Sequence, residues 1–137
     1  MGKLSAYLRP SPVGKTKEIF LDNFKDESGK PLPFIVKCIS PEENEGISKK
    51  HTNEEGKLDA SAYGNELIVN CMVEPDLKSE ELCRFYGVMD PTMVPSRMFT
   101  IGEKQLIQDA VMDINDVKMA KDKLERAKNS SGEDTGK

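Results

Sequence analysis

The side chains with most chemistry to offer are one histidine and three cysteines: His51, Cys38, Cys71 and Cys83. A metal site normally needs several His, or Cys at close spacing; here there is no second His and no C-x-x-C pair. His51 stands in Lys49-Lys50-His51-Thr52-Asn53-Glu54 and reads as a solvated residue at a helix end. Each Cys lies among apolar neighbours, which suits an inert buried thiol better than an activated nucleophile. An odd number of thiols fits free cysteines in a reducing compartment. Gly14-Lys15-Thr16 looks like the end of a phosphate-binding loop. That pattern needs a glycine at position 9, where Arg9 stands, and Pro10 and Pro12 oppose its strand–loop–helix setting, so it reads as plain loop. Asn129-Ser130-Ser131 is a formal glycosylation sequon. The opening Met1-Gly2-Lys3-Leu4-Ser5 lacks the apolar run of a secretory signal, so glycosylation is not expected. These residues point to no catalytic group, no metal and no cofactor, and hence to a protein that is not an enzyme.

Composition narrows the partners. Twenty basic against 24 acidic residues leave a net charge of −4, where binding to phosphate backbones needs a surplus of Lys and Arg; nucleic acid is not expected. No apolar run approaches the roughly 18 residues that span a bilayer, so no membrane partner is expected. Leu, Ile, Val and Phe make up about 23% of the 137 residues, just above the level at which chains stay disordered. One domain with a thin core follows.

The elements that would position these residues can be traced along the chain. Residues 1–15 read as a flexible arm with an apolar patch at Leu4, Tyr7 and Leu8, then a Pro-rich linker. Residues 17–21 and 34–39 are rich in β-branched and aromatic residues and predict strands. The dense turn signal between them, 25–31, predicts an antiparallel hairpin with a loop longer than two residues. Ser40-Pro41-Glu42-Glu43 predicts a capped helix start, the helix running to about His51. A polar loop, 52–58, follows. Asp59 caps a helix over about 60–73, in which Gly64 either weakens the helix or permits close packing. Ser79 caps a short helix stopped by Gly87, and Asp90-Pro91 starts another. Thr100-Ile101-Gly102-Glu103 is a capping box that opens the longest helix, to about Lys128, with Asn115-Asp116 as a point of interruption. The fold class is therefore α+β, mainly α: one small antiparallel hairpin near the N-terminus, then a bundle of about five helices. Its parts are the arm 1–15, a globular domain 16–114, a basic helix 115–128 and a disordered tail 129–137.

Two constellations suit binding. Five of seven methionines, Met89, Met93, Met98, Met112 and Met119, lie within 31 positions. They read either as ordinary core filling or as an adaptable partner groove. Ala110, Ile114, Val117, Ala120, Leu124 and Ala127 form an apolar stripe, and 115–128 carries five basic against three acidic residues. This stretch is either the last core helix or a segment that docks on a partner or on another copy. Candidate partner-binding residues are Phe85, Tyr86, Met89, Met93, Met98, Ile114, Val117 and Leu124.

Ordered signals over about 24–114 carry a family resemblance. Phe24-Lys25-Asp26-Glu27-Ser28-Gly29-Lys30-Pro31-Leu32-Pro33-Phe34 is followed by Ser40-Pro41-Glu42-Glu43-Asn44, then Leu67-Ile68-Val69 and Glu74-Pro75-Asp76-Leu77-Lys78. Glu81-Leu82, Tyr86-Gly87-Val88 and Met98-Phe99-Thr100-Ile101-Gly102-Glu103 complete the order. In these the chain resembles the XkdN-like tail assembly chaperones of tailed bacteriophages and prophage-like elements. Lys104 departs from the pattern, where an aromatic is expected. The resemblance implies a non-enzymatic protein of the bacterial host cytoplasm. It would bind the hydrophobic, helical tape-measure protein and keep it soluble until tail-tube assembly, with the tail-tube protein as a further candidate contact. It also implies absence from the mature particle; the alternative is a structural or adaptor component retained in a tail or tail-like particle. Holding an extended client through many weak contacts favours self-association, so a homo-oligomer is expected.

Overall fold

The fold is a computed structural model that describes residues 2–117. Its local structure follows the capping signals closely. Ser40 Oγ accepts from Glu43 N–H at 3.0 Å and starts α2 (Pro41–Lys50). Asp59 Oδ1 accepts from Ala62 N–H at 3.1 Å and starts α3 (Ala60–Cys71). Ser79 Oγ accepts from Leu82 N–H at 3.1 Å ahead of α4 (Glu80–Phe85), which Gly87 closes in the left-handed conformation. Asp90 caps a 3-10 turn, Pro91–Met93, leading into α5 (Val94–Met98). The full reciprocal box opens α6 (Ile101–Ile114): Thr100 Oγ accepts from Glu103 N–H at 3.1 Å, and Glu103 Oε1 accepts from Thr100 N–H at 2.9 Å. One further turn of helix, α1 (Gly2–Ser5), lies in the arm.

The predicted hairpin is present as β1 (Thr16–Lys25) and β2 (Pro31–Lys37), antiparallel, with Ile19 opposite Phe34 and Lys17 opposite Val36. Its turn is built on Asp26, whose Oδ1 accepts from the N–H groups of Ser28 and Lys30 and from the Ser28 hydroxyl. Those bonds, the Ser28 hydroxyl first, hold the Asp26 carboxyl below its ordinary value. Gly29 takes φ +87° there, which a side chain would resist.

Both strands, read as 17–21 and 34–39, and the helix that Asp59 caps differ from expectation in their bounds. The helix read to Val73 ends at Cys71, because Met72–Glu74 forms β3 and pairs antiparallel with β2, Val36 opposite Met72. Three residues are too few to register as a strand in sequence, and the proline at 75 biases Glu74 towards extended backbone. The sheet therefore has three strands in the order β1-β2-β3. Helix α6 ends at Ile114, and the chain breaks at Asn115-Asp116, the expected point of interruption. Asn115 caps the helix, and Asp116 takes φ +60°, which turns the chain off the helix axis. The predicted helix over 115–128 and tail over 129–137 fall outside the described residues beyond Val117.

One face of the sheet supplies Leu21, Phe34 and Val36 to a core shared with Ile68, Leu77, Val94, Ile107 and Val111, all at most 2% exposed. Phe24, Phe34 and Phe99 meet edge-to-face with ring centroids 5.0–5.9 Å apart and lock the hairpin to the start of α6. Helix α6 lies along β1 and is tied to it at both ends: Asn23 donates to Glu103 Oε2 at 2.8 Å, and Lys17 pairs with Asp113. Gly64 brings α3 close to α6, since an added Cβ would stand 3.3 Å from Gln108 Nε2.

Candidate functional site

Two grooves flank the ends of α6. The larger, about 700 Å³, opens between the hairpin and α4. Its apolar wall comes from Phe24, Leu32, Pro33, Phe34, Leu82, Phe85 and Met98. Leu32 and Pro33 are there because the turn at Asp26 places the start of β2 at the open end of the sheet. Phe85 is there because α4 is so short that its last residue overhangs the core; the ring is 78% exposed and leans on Tyr86 at 4.9 Å between centroids. The rim is acidic, with Glu74, Asp76 and Glu81, all exposed, and no cation among the lining residues. Lys78, nearby in sequence, donates instead to Asn70 Oδ1 at 3.0 Å.

The smaller groove, about 310 Å³, lies at the other end of α6. Ile39, Pro41, Leu67, Val111, Met112 and Val117 supply apolar wall, with Tyr63, Asn44 and Asn115 as polar groups. The Tyr63 hydroxyl donates to Asn44, and partial burial raises the Tyr63 pKa above its ordinary value. Asn115 Oδ1 accepts from Ile39 N–H at 3.0 Å while its amide donates to Val111 O at 2.8 Å.

The sequence candidates divide between these surfaces. Phe85 and Met98 line the larger groove and Val117 the smaller. Tyr86, Met98 and Ile114 are partly buried and pack against the core. Met89 is fully exposed and Met93 half-exposed. Leu124 lies outside the described residues. Sequence reasoning missed the hairpin wall of the larger groove, Phe24, Leu32, Pro33 and Phe34. A turn flanked on both sides by apolar residues was the signal available for it.

His51 is also differently placed. It caps the end of α2 as expected, but its side chain is only 18% exposed. Nε2 sits 2.7 Å from Glu66 Oε1, and Lys50 donates to Glu66 Oε2 at 3.2 Å. Burial opposes the charge on Glu66, yet the bonds from His51 and Lys50 outweigh it and hold the carboxyl below its ordinary value. The three cysteines are free and buried, and burial pushes the Cys71 thiol up to about 11. Among the described residues, no group of three or more His, Cys, Asp or Glu could hold a metal ion, and no helix is long and apolar enough to cross a membrane.

Two open apolar grooves on a small α+β body describe a protein with surface to offer a partner. Over residues 4–128 the chain matches the phage XkdN-like tail assembly chaperone family, and it belongs to that family. It is 29% identical over 87 residues to the phage-like element PBSX protein XkdN of Bacillus subtilis strain 168. It is 31% identical over 87 residues to the uncharacterized protein YqbN of the same strain. Each match covers 58% of this chain, and the chain spans only 59% and 58% of those relatives' lengths. The crystal structure of YqbN superposes with a TM-score of 0.68 at 26% identity, covering 84% of this chain and 97% of that one.

Proposed function

We propose that this tail assembly chaperone binds the hydrophobic, helical tape-measure protein and keeps it soluble until the tail tube assembles around it. The larger groove is the binding surface in this reading. The observation that carries it is the exposed Phe85 ring standing beside Leu32, Leu82 and Met98 in an open apolar trough. A trough of this kind suits the apolar stripe of an amphipathic helix, with adaptable thioether and aromatic contacts rather than one fixed geometry. The protein acts without catalysis, in the host cytoplasm, and leaves before the particle is complete. Its acidic rim adds a preference for client segments with basic flanks.

Co-purification tests this reading. Tagged chaperone should retain the tape-measure protein of the same phage or prophage-like element, and mass spectrometry of purified mature particles should recover no stoichiometric amount of this chain. Stoichiometric recovery would instead favour a structural or adaptor component retained in the tail.

A further inference from the structure

The two grooves stand at opposite ends of α6. Met98 and the Phe24–Phe34–Phe99 cluster mark the larger one at the helix start; Asn115 and Val117 mark the smaller one at its end. Fourteen residues at 1.5 Å each separate them by about 21 Å. The chain beyond Asn115 is the segment whose sequence carries the stripe Val117, Ala120, Leu124 and Ala127. Between Val117 and Lys128 it has five basic residues against two acidic. That is the complement of a trough with an apolar floor and a rim of Glu74, Asp76 and Glu81.

In its own copy that segment starts at the far end of α6 from the trough. Only Asp116 separates Val117 from the cap of α6, and Val117 already lines the opposite groove. A second copy has no such tether.

We propose that the larger groove of one copy is filled by the basic segment 117–128 of a second copy, giving head-to-tail self-association through unlike surfaces. Such contacts are heterologous: each copy offers one segment and one groove, so chains of copies extend or close into rings. The segment also competes with any client helix for the same trough, so client binding and self-association oppose each other. This deepens the groove reading above, but its test uses no client, and the two can fail separately.

The test is sedimentation velocity of the full chain from about 1 to about 300 µM, bracketing the micromolar range of modest helix-in-groove contacts. The unmodified chain should gain mass with concentration. Lys121→Glu with Arg126→Glu, and separately Asp76→Lys with Glu81→Lys, should each weaken self-association about tenfold or more, and the four changes together should restore it. A chain that stays monomeric throughout overturns the proposal. So does self-association indifferent to both reversals, or reversals whose combination restores nothing. Amide exchange of the unmodified chain decides the matter should a variant misfold. Protection at Leu82–Tyr86 should rise with concentration; protection independent of concentration overturns the proposal.

Discussion

Asn115 at the end of α6 holds the backbone of Ile39 across 76 residues of sequence, its Oδ1 accepting from Ile39 N–H at 3.0 Å. The same side chain closes its own helix by donating to Val111 O at 2.8 Å. One amide thus ends the longest helix and seals the exit of β2. Neither aspartate nor leucine could do both, since the role needs an acceptor and a donor on one short side chain. Asn115→Ala leaves the buried Ile39's N–H without this partner. The expected loss is about 1–3 kcal/mol, read as a lower urea midpoint at unchanged slope.

Glu66 couples stability to pH. Its carboxyl lies below the ordinary 4.5 in the folded chain, despite burial, because His51 and Lys50 bond the charged form. A depressed carboxylate contributes stability above its unfolded pKa and loses it as pH falls through its folded value. Glu66→Gln should therefore cost about 1–3 kcal/mol near neutral pH. The gap between unmodified and variant chains should narrow on acidification to about pH 3. Urea titrations at several pH values measure it; a gap constant across that range would contradict the assignment.

Gly64 gives a prediction of the opposite sign. It lies inside α3, where glycine costs about 0.5–1 kcal/mol relative to alanine. An added methyl would meet only the end of the Gln108 side chain, at 3.3 Å, and that flexible amide can yield. Gly64→Ala should raise the thermal midpoint. A fall would show that Gln108 is held in place and that the close approach of α3 to α6 needs the glycine.

The thiols should be silent in the native state. All three are buried away from reagent, and burial raises the Cys71 thiol to about 11, so Cys71 stays a thiol at neutral pH. Ellman titration should count no fast-reacting thiol in buffer and three in denaturant. A fast native reaction would place a cysteine in a more open setting.

How much of this was readable in the sequence follows from the range of each interaction. The caps Ser40, Asp59, Ser79, Asp90 and Thr100 act within two or three residues, and each stands where its residue type and spacing put it. The Asp26–Lys30 turn was legible for the same reason. What could not be read are pairings across the chain. β3 exists because β2 has an open edge, which Met72–Glu74 alone does not reveal. His51 looked solvated because its neighbours are polar, and its partner Glu66, in α3, is 15 residues away in sequence but adjacent in space. Phe85 and Met98 could be named from composition, whereas the hairpin wall opposite them becomes visible only when Phe24, Phe34 and Phe99 bring the turn against α4.

The larger groove as a client surface is tested most directly by co-expressing the tape-measure protein with this chain and measuring its soluble fraction. The unmodified chain should keep the tape measure soluble, and Phe85→Asp should abolish that protection. Because Phe85 is 78% exposed, the variant should keep the helical circular dichroism of the parent. A tape measure equally soluble with no chaperone, with the parent and with Phe85→Asp would contradict the account.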